Sequence, residues 1–157
     1  MAAAGAANHE EVVLEEKDSL GVKLLIAKLI CWGLFAFDVL LGSASLLSPR
    51  AVLKSFAPGE EPAGEALLRR AGSIWLFFVP VQLWAALKTE NPKALRAVSV
   101  LRLQEVPADP VWLATGKGFG AFGKFGLVFA PAFNLVAGSY LAYVAGALEK
   151  KSAQNND

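Results

Sequence analysis

Seven residues give this chain its chemical possibilities, because they are polar or charged and lie within or beside stretches that are otherwise apolar: Asp38, Arg69, Arg70, Arg102, Glu105, Asp109 and Asn134. Carboxylates, guanidinium groups and an amide in such surroundings have three uses. They can pair with one another, hold a proton, or grip a small polar ligand. Asp38 shows the constraint most clearly. It sits in LICWGLFAFDVLLGSASLL, residues 29–47. A bilayer core of about 30 Å is crossed by roughly 20 apolar residues in a helix. A lone carboxylate at its centre costs about 2.5–3.5 kcal/mol on the insertion scale. Such a residue calls for a partner.

Other chemistry is poorly supplied. The only histidine, His9, lies outside the apolar stretches, so no imidazole is placed to hold haem iron, a metal centre or a pigment magnesium within a membrane. No metal site is expected. Ser43, Ser45, Ser73 and Ser139 have no histidine to activate them, and the single cysteine, Cys31, has no evident base and suits a small buried hydrophobe. Glu105 and Asp109 form a carboxylate pair, but their nearest partners by spacing are arginines, which suits ion pairing better than acid catalysis. The run Gly118–Gly123 fits G-x-G-x-x-G, yet no strand candidate precedes it, and Phe125 stands where a phosphate-binding loop needs Ser or Thr. Small residues at positions 116, 120, 123, 126, 138, 142 and 146 read instead as close helix packing. Phe119, Phe122, Phe125, Phe129 and Phe133 form a second row, for packing, lipid contact or an apolar ligand groove.

Composition points the same way. Of 157 residues, 55% are hydrophobic and only 18% charged, against about 25% charged in a typical soluble domain. Mean hydropathy is +0.44. A net charge of +1 gives no electrostatic basis for nucleic-acid binding. The predicted organisation is an acidic soluble tail over residues 1–20, a transmembrane domain over 21–148 and a polar tail over 149–157. The fold class expected is all-α, an integral membrane four-helix bundle. Its spans fall at about 21–47, 66–87, 92–113 and 122–148. Ser48-Pro49 ends the first, and Pro80 and Pro131 lie within the second and fourth. The third mixes apolar and charged positions, with Arg102, Glu105 and Asp109 sharing one helical face. It reads as a span with its polar side turned inward, the alternative being an amphipathic helix on the membrane surface.

Depth then links the polar residues. Counting from the end nearer the termini, Asp38 is 14 residues past Leu24, Glu105 and Asp109 are 11 and 15 past Ala94, Arg70 is 17 before Leu87, and Asn134 is 14 before Leu148. At about 1.5 Å per residue these offsets become about 17–26 Å, so every predicted span contributes to one polar layer. Two uses stay open: an ion-pair cluster that fixes helix register, or a pocket for a small polar ligand, a proton or a lipid headgroup. Basic residues near the span ends number eight on the side of the termini (Lys17, Lys23, Lys28, Lys88, Lys93, Arg96, Lys150, Lys151) and six opposite (Arg50, Lys54, Arg69, Arg70, Lys117, Lys124), which predicts both termini on the cytoplasmic side.

The succession of LLSPRAVLKSF, RRAGSIWLFF and LRLQEVPAD over residues 21–148 resembles the small bacterial four-helix integral membrane proteins of the DoxX-like type. The resemblance implies the four-helix fold and carries over no functional residue. Function is therefore expected to be non-catalytic: an accessory or structural subunit of a larger membrane complex. The alternative is a stand-alone four-helix carrier or ligand-binding protein using the polar site. Partners expected are the lipid bilayer and other membrane subunits or a second copy of the chain. The cofactor is left open, with lipid, quinone or pigment as the chemistries that would fit.

Overall fold

The computed structural model describes residues 2–58, 63–115 and 118–154, without the side chains of 2–18, 63, 109, 112, 113 and 115. All regular structure among them is helical: α1 (Ala2–Leu47), α2 (Pro49–Phe56), α3 (Ala63–Leu87), α4 (Pro92–Glu105), α5 (Ala108–Thr115) and α6 (Ala121–Gln154). Among the described residues three stretches are long and apolar enough to cross a membrane, Ser19–Leu47, Gly64–Leu87 and Ala121–Gln154. The third predicted span, 92–113, is broken in two. Pro107 has no N–H to continue the helix, and the chain tightens at Val106, whose N–H donates to the Leu103 carbonyl at 3.3 Å. α4 alone has 14 residues, or about 21 Å of helix, less than a bilayer core. α1 begins at Ala2 and passes through the segment expected as a separate tail, whose side chains lie outside the described residues through position 18.

Boundaries follow local chemistry. α1 stops at Leu47 and Pro49 opens α2, where its missing N–H is no loss. Asn91 caps α4: its side-chain oxygen accepts from the Lys93 N–H at 3.0 Å, and Pro92 takes the first helical position. Pro80 sits inside α3 without ending it.

α1 packs chiefly on α3, and α4 on α6. Among the described side chains the buried positions of α1 are Ala27, Cys31, Leu34, Asp38, Gly42 and Ser45, each three or four apart, so they form one stripe. α4 presents Ala94, Leu95, Val98, Ser99 and Arg102 in the same manner, and α6 presents Asn134, Ala137, Gly138, Leu141, Val144 and Ala145. These stripes are rich in small or polar side chains. Large apolar ones point outward: Leu25, Leu29, Phe37 and Leu40 on α1, Phe77 on α3, and Phe122, Phe125, Phe129 and Val136 on α6. In water this would be an inverted surface. In lipid it is the expected one, since small residues let helices approach and bulky apolar ones meet acyl chains.

Several glycines are where backbones come together. A Cβ on Gly72 would stand 2.8 Å from the Gly42 carbonyl oxygen and 2.8 Å from Ser45 Cβ, so α1 and α3 touch nearly backbone to backbone. A Cβ on Gly123 would collide with the Phe56 carbonyl oxygen, which already accepts the Gly120 N–H at 3.0 Å. The turn leading there uses Gly118 at φ 79°, a conformation that favours glycine. Thus the G-x-G-x-x-G run joins the loop before α6 to the end of α2.

Two ends of the molecule are defined by these contacts. At one, Tyr140 Oη donates to the Lys23 carbonyl at 3.3 Å and Arg96 pairs with Glu149 at 2.5 Å. At the other, Leu47, Phe56 and Gly120 gather around α2. Gly123→Ala should lower the thermal stability of the detergent-solubilised protein by about 1–3 kcal/mol through overpacking. Gly146→Ala, where an added Cβ meets nothing within 4 Å, should be neutral or stabilising by up to about 1 kcal/mol. Melting followed by circular dichroism on both variants checks the contrast.

Candidate functional site: a polar cluster between four helices

The inward stripes of α1 and α4 each end their apolar run with a charge. Asp38 continues the Ala27–Cys31–Leu34 face, and Arg102 follows Leu95 and Val98. Both are buried, Asp38 at 0% and Arg102 at 2% exposure. Arg102 Nη2 donates to Asp38 Oδ2, a direct ion pair between α1 and α4. The same carboxylate oxygen accepts from Gln82 Nε2 of α3 at 2.7 Å. The other arm of the guanidinium, Nη1, donates to Glu105 Oε2 at 2.8 Å, one turn further along α4. Asn134 of α6 closes the set, its Nδ2 donating to Glu105 Oε2 at 3.2 Å. The Arg102 guanidinium also lies 6.0 Å from the centre of the Phe78 ring. α1, α3, α4 and α6 therefore all contribute side chains.

The electrostatics are those of a desolvated pair. Removing two ions from water costs several kcal/mol each, and only close geometry with further hydrogen bonds repays it. Here the guanidinium uses two arms on two carboxylates, and both amides donate to carboxylate oxygens rather than compete for the guanidinium. Glu105 is the more open member, its side chain 17% exposed. Inside the cluster, Asp38 Oδ1, Gln82 Oε1 and Arg102 Nε have no hydrogen-bond partner among the described residues. Among the described residues no group of three or more His, Cys, Asp or Glu side chains is placed to hold a metal ion.

Of the seven residues singled out in the sequence, Asp38, Arg102, Glu105 and Asn134 come together. Arg69 and Arg70 do not join them. α1 and α3 run antiparallel with Gly42 against Gly72, and this register sets Arg69 beside Leu46, whose carbonyl accepts from Nη1 at 2.6 Å. Leu46 is eight residues beyond Asp38, or about 12 Å along the helix. Arg69 thus serves the exposed carbonyl end of α1, and Arg70 is exposed. Asp109 lies in α5, with its side chain outside the described residues. Gln82 is the member that sequence reasoning missed. A glutamine within WLFFVPVQLWAAL is itself a polar group in an apolar run, and that was the available signal. As a neutral amide it stood out less than the charged residues around it, and its depth was not compared with theirs.

No family model, curated protein or solved structure matches the chain. No family is thereby identified, and the likeness of layout to DoxX-like proteins gains no support. What the molecule establishes is a small all-helical protein with three candidate membrane spans and a buried Asp38–Arg102 ion pair.

Breaking this pair from one side should be worse than removing it. Arg102→Met, which strands Asp38, should destabilise by about 3–5 kcal/mol, whereas Asp38→Leu combined with Arg102→Met should recover much of that loss. Thermal unfolding of the two variants in one detergent distinguishes these outcomes, and equal losses would show that the pair carries no special weight.

Proposed function

We propose that the chain is a non-catalytic integral membrane protein, a small structural or accessory subunit whose polar cluster locks its helices while its bulky apolar faces meet lipid and neighbouring subunits. The observation that carries this reading is the internal use of the charged groups. Asp38, Arg102 and Glu105 are engaged with one another and with Gln82 and Asn134, while large side chains on α1, α3 and α6 are turned outward.

The membrane arrangement proposed has four passes, α4 and α5 together making the third. Together 92–115 span 24 residues, or about 36 Å if helical throughout, enough to cross a bilayer core. The pairing of Arg96 with Glu149 supports this, since it sets the start of α4 and the end of α6 at the same end of the molecule. Three passes would put them on opposite sides. With four passes both termini share one side, and the basic-residue balance favours the cytoplasmic one.

A second reading rests on the three unpartnered atoms Asp38 Oδ1, Gln82 Oε1 and Arg102 Nε. Two acceptors and one donor buried together suit a water molecule or a small polar ligand, as in a stand-alone carrier.

Gentle detergent extraction followed by native sizing separates the two readings. The subunit reading expects migration within a larger hetero-assembly, and a lone protein or homo-oligomer defeats it. Topology has its own check. Cysteines introduced as Glu90→Cys and Ser152→Cys should react with a membrane-impermeant maleimide from the same side, and Ser55→Cys from the other. Reaction of positions 90 and 152 from opposite sides would establish three passes instead.

A further inference from the structure

At the end of the molecule where α3 turns into α4, an open cleft of about 550 Å³ lies between that turn and α1. Leu25, Lys28, Leu87, Lys88, Glu90 and Asn91 are among its lining residues. Leu25 and Leu87 are exposed and apolar, at 58% and 63%. Lys28 lies one helical turn inside Leu24 and Leu25 within the candidate span Ser19–Leu47. An ammonium there lifts along its flexible stem to the membrane–water boundary, and the cleft is on that route.

The polar groups of the cleft are unevenly committed. Lys28 and Lys88 are exposed and enter no ion pair among the described residues. The Thr89 hydroxyl is used on the carbonyls of Ala85 and Ala86, at 3.2 Å each. Asn91 spends its side-chain oxygen on the Lys93 N–H and keeps its amide NH₂ as a donor. The cleft at the opposite end, of about 450 Å³, also has two cations. There Arg50 already pairs with Glu65 at 2.5 Å and Arg69 already donates to the Leu46 carbonyl.

We propose that the cleft between α1 and the α3–α4 turn binds the phosphodiester of an anionic phospholipid. Lys28, Lys88 and the Asn91 amide surround the phosphate oxygens, and Leu25 and Leu87 line the path of the acyl chains. Two lysines and Glu90 leave a single positive charge, which complements the single negative charge of a phosphodiester. Cationic donors are the strong partners of phosphate oxygens. The apolar walls select a lipid over a water-soluble phosphate, and basic clusters at a membrane boundary are the known means of holding anionic headgroups. This site is separate from the Asp38–Arg102 cluster and holds whether the chain acts as a subunit or alone.

Native mass spectrometry of the full-length protein, released from micelles doped with either palmitoyl-oleoyl phosphatidylglycerol or the matching phosphatidylcholine, tests the assignment. Wild type should retain phosphatidylglycerol in preference to phosphatidylcholine. The pair Lys28→Gln with Lys88→Gln should weaken that retention by about tenfold or more. Lys28→Arg with Lys88→Arg should keep it, and so should Lys150→Gln with Lys151→Gln, which removes the same charge elsewhere. Retention by the first pair, loss by either of the other two, or equal uptake of both lipids by wild type would overturn the proposal.

Discussion

The ion pair between Asp38 and Arg102 sets the terms for the rest of the molecule. A carboxylate and a guanidinium removed from water gain little over two well-packed apolar residues, but either one alone is a heavy liability. Once both are present, the helices that bear them lose their freedom to slide or rotate. A shift of α4 along α1 by one turn, about 5.4 Å, would unmake the pair and strand both charges. Gln82 and Asn134 extend the constraint to α3 and α6.

The small apolar residues of the interface do not provide this specificity by themselves. Ala27, Cys31, Ala85, Ala86 and Ala94 are small and buried, and small surfaces pack closely without naming one register. Glycines at 42, 72 and 138 bring the helices near. Ser99 Oγ, donating to the Gly138 carbonyl at 2.7 Å, marks one contact between α4 and α6. The molecule thus consists of two closely packed helix pairs, α1 with α3 and α4 with α6, which share one apolar core and are linked across it by the Asp38–Arg102 pair.

Much of this was legible in the sequence, because the strongest signals were local. Long apolar runs gave the three candidate spans, Ser48-Pro49 the end of α1, and the cost of Asp38 the need for a partner. Glu105 and Asn134 were also identifiable as polar groups at matching depth, and Arg102 as a neighbour of Glu105 on one helical face. What was not legible depended on register. Arg70 fell in the polar layer by depth, with Arg69 beside it, and only the Gly42–Gly72 contact reveals that α3 carries Arg69 to the end of α1. The break at Val106-Pro107 was signalled by the proline, but the length left on each side depends on how α4 and α5 pack. Gln82 escaped because a neutral amide gives a weaker warning than a charge, although it reaches the same carboxylate.

The position of Gln82 in the chain has a consequence for assembly. A polypeptide is made from its N-terminus, so α1 exists before α3, and α3 before α4. Asp38 therefore enters its surroundings well before Arg102 has been synthesised. The first permanent donor to become available to it is the amide of Gln82, on the helix that packs most closely against α1. The order of the chain thus gives the aspartate a neutral donor on its nearest neighbouring helix before it gives it a charged one.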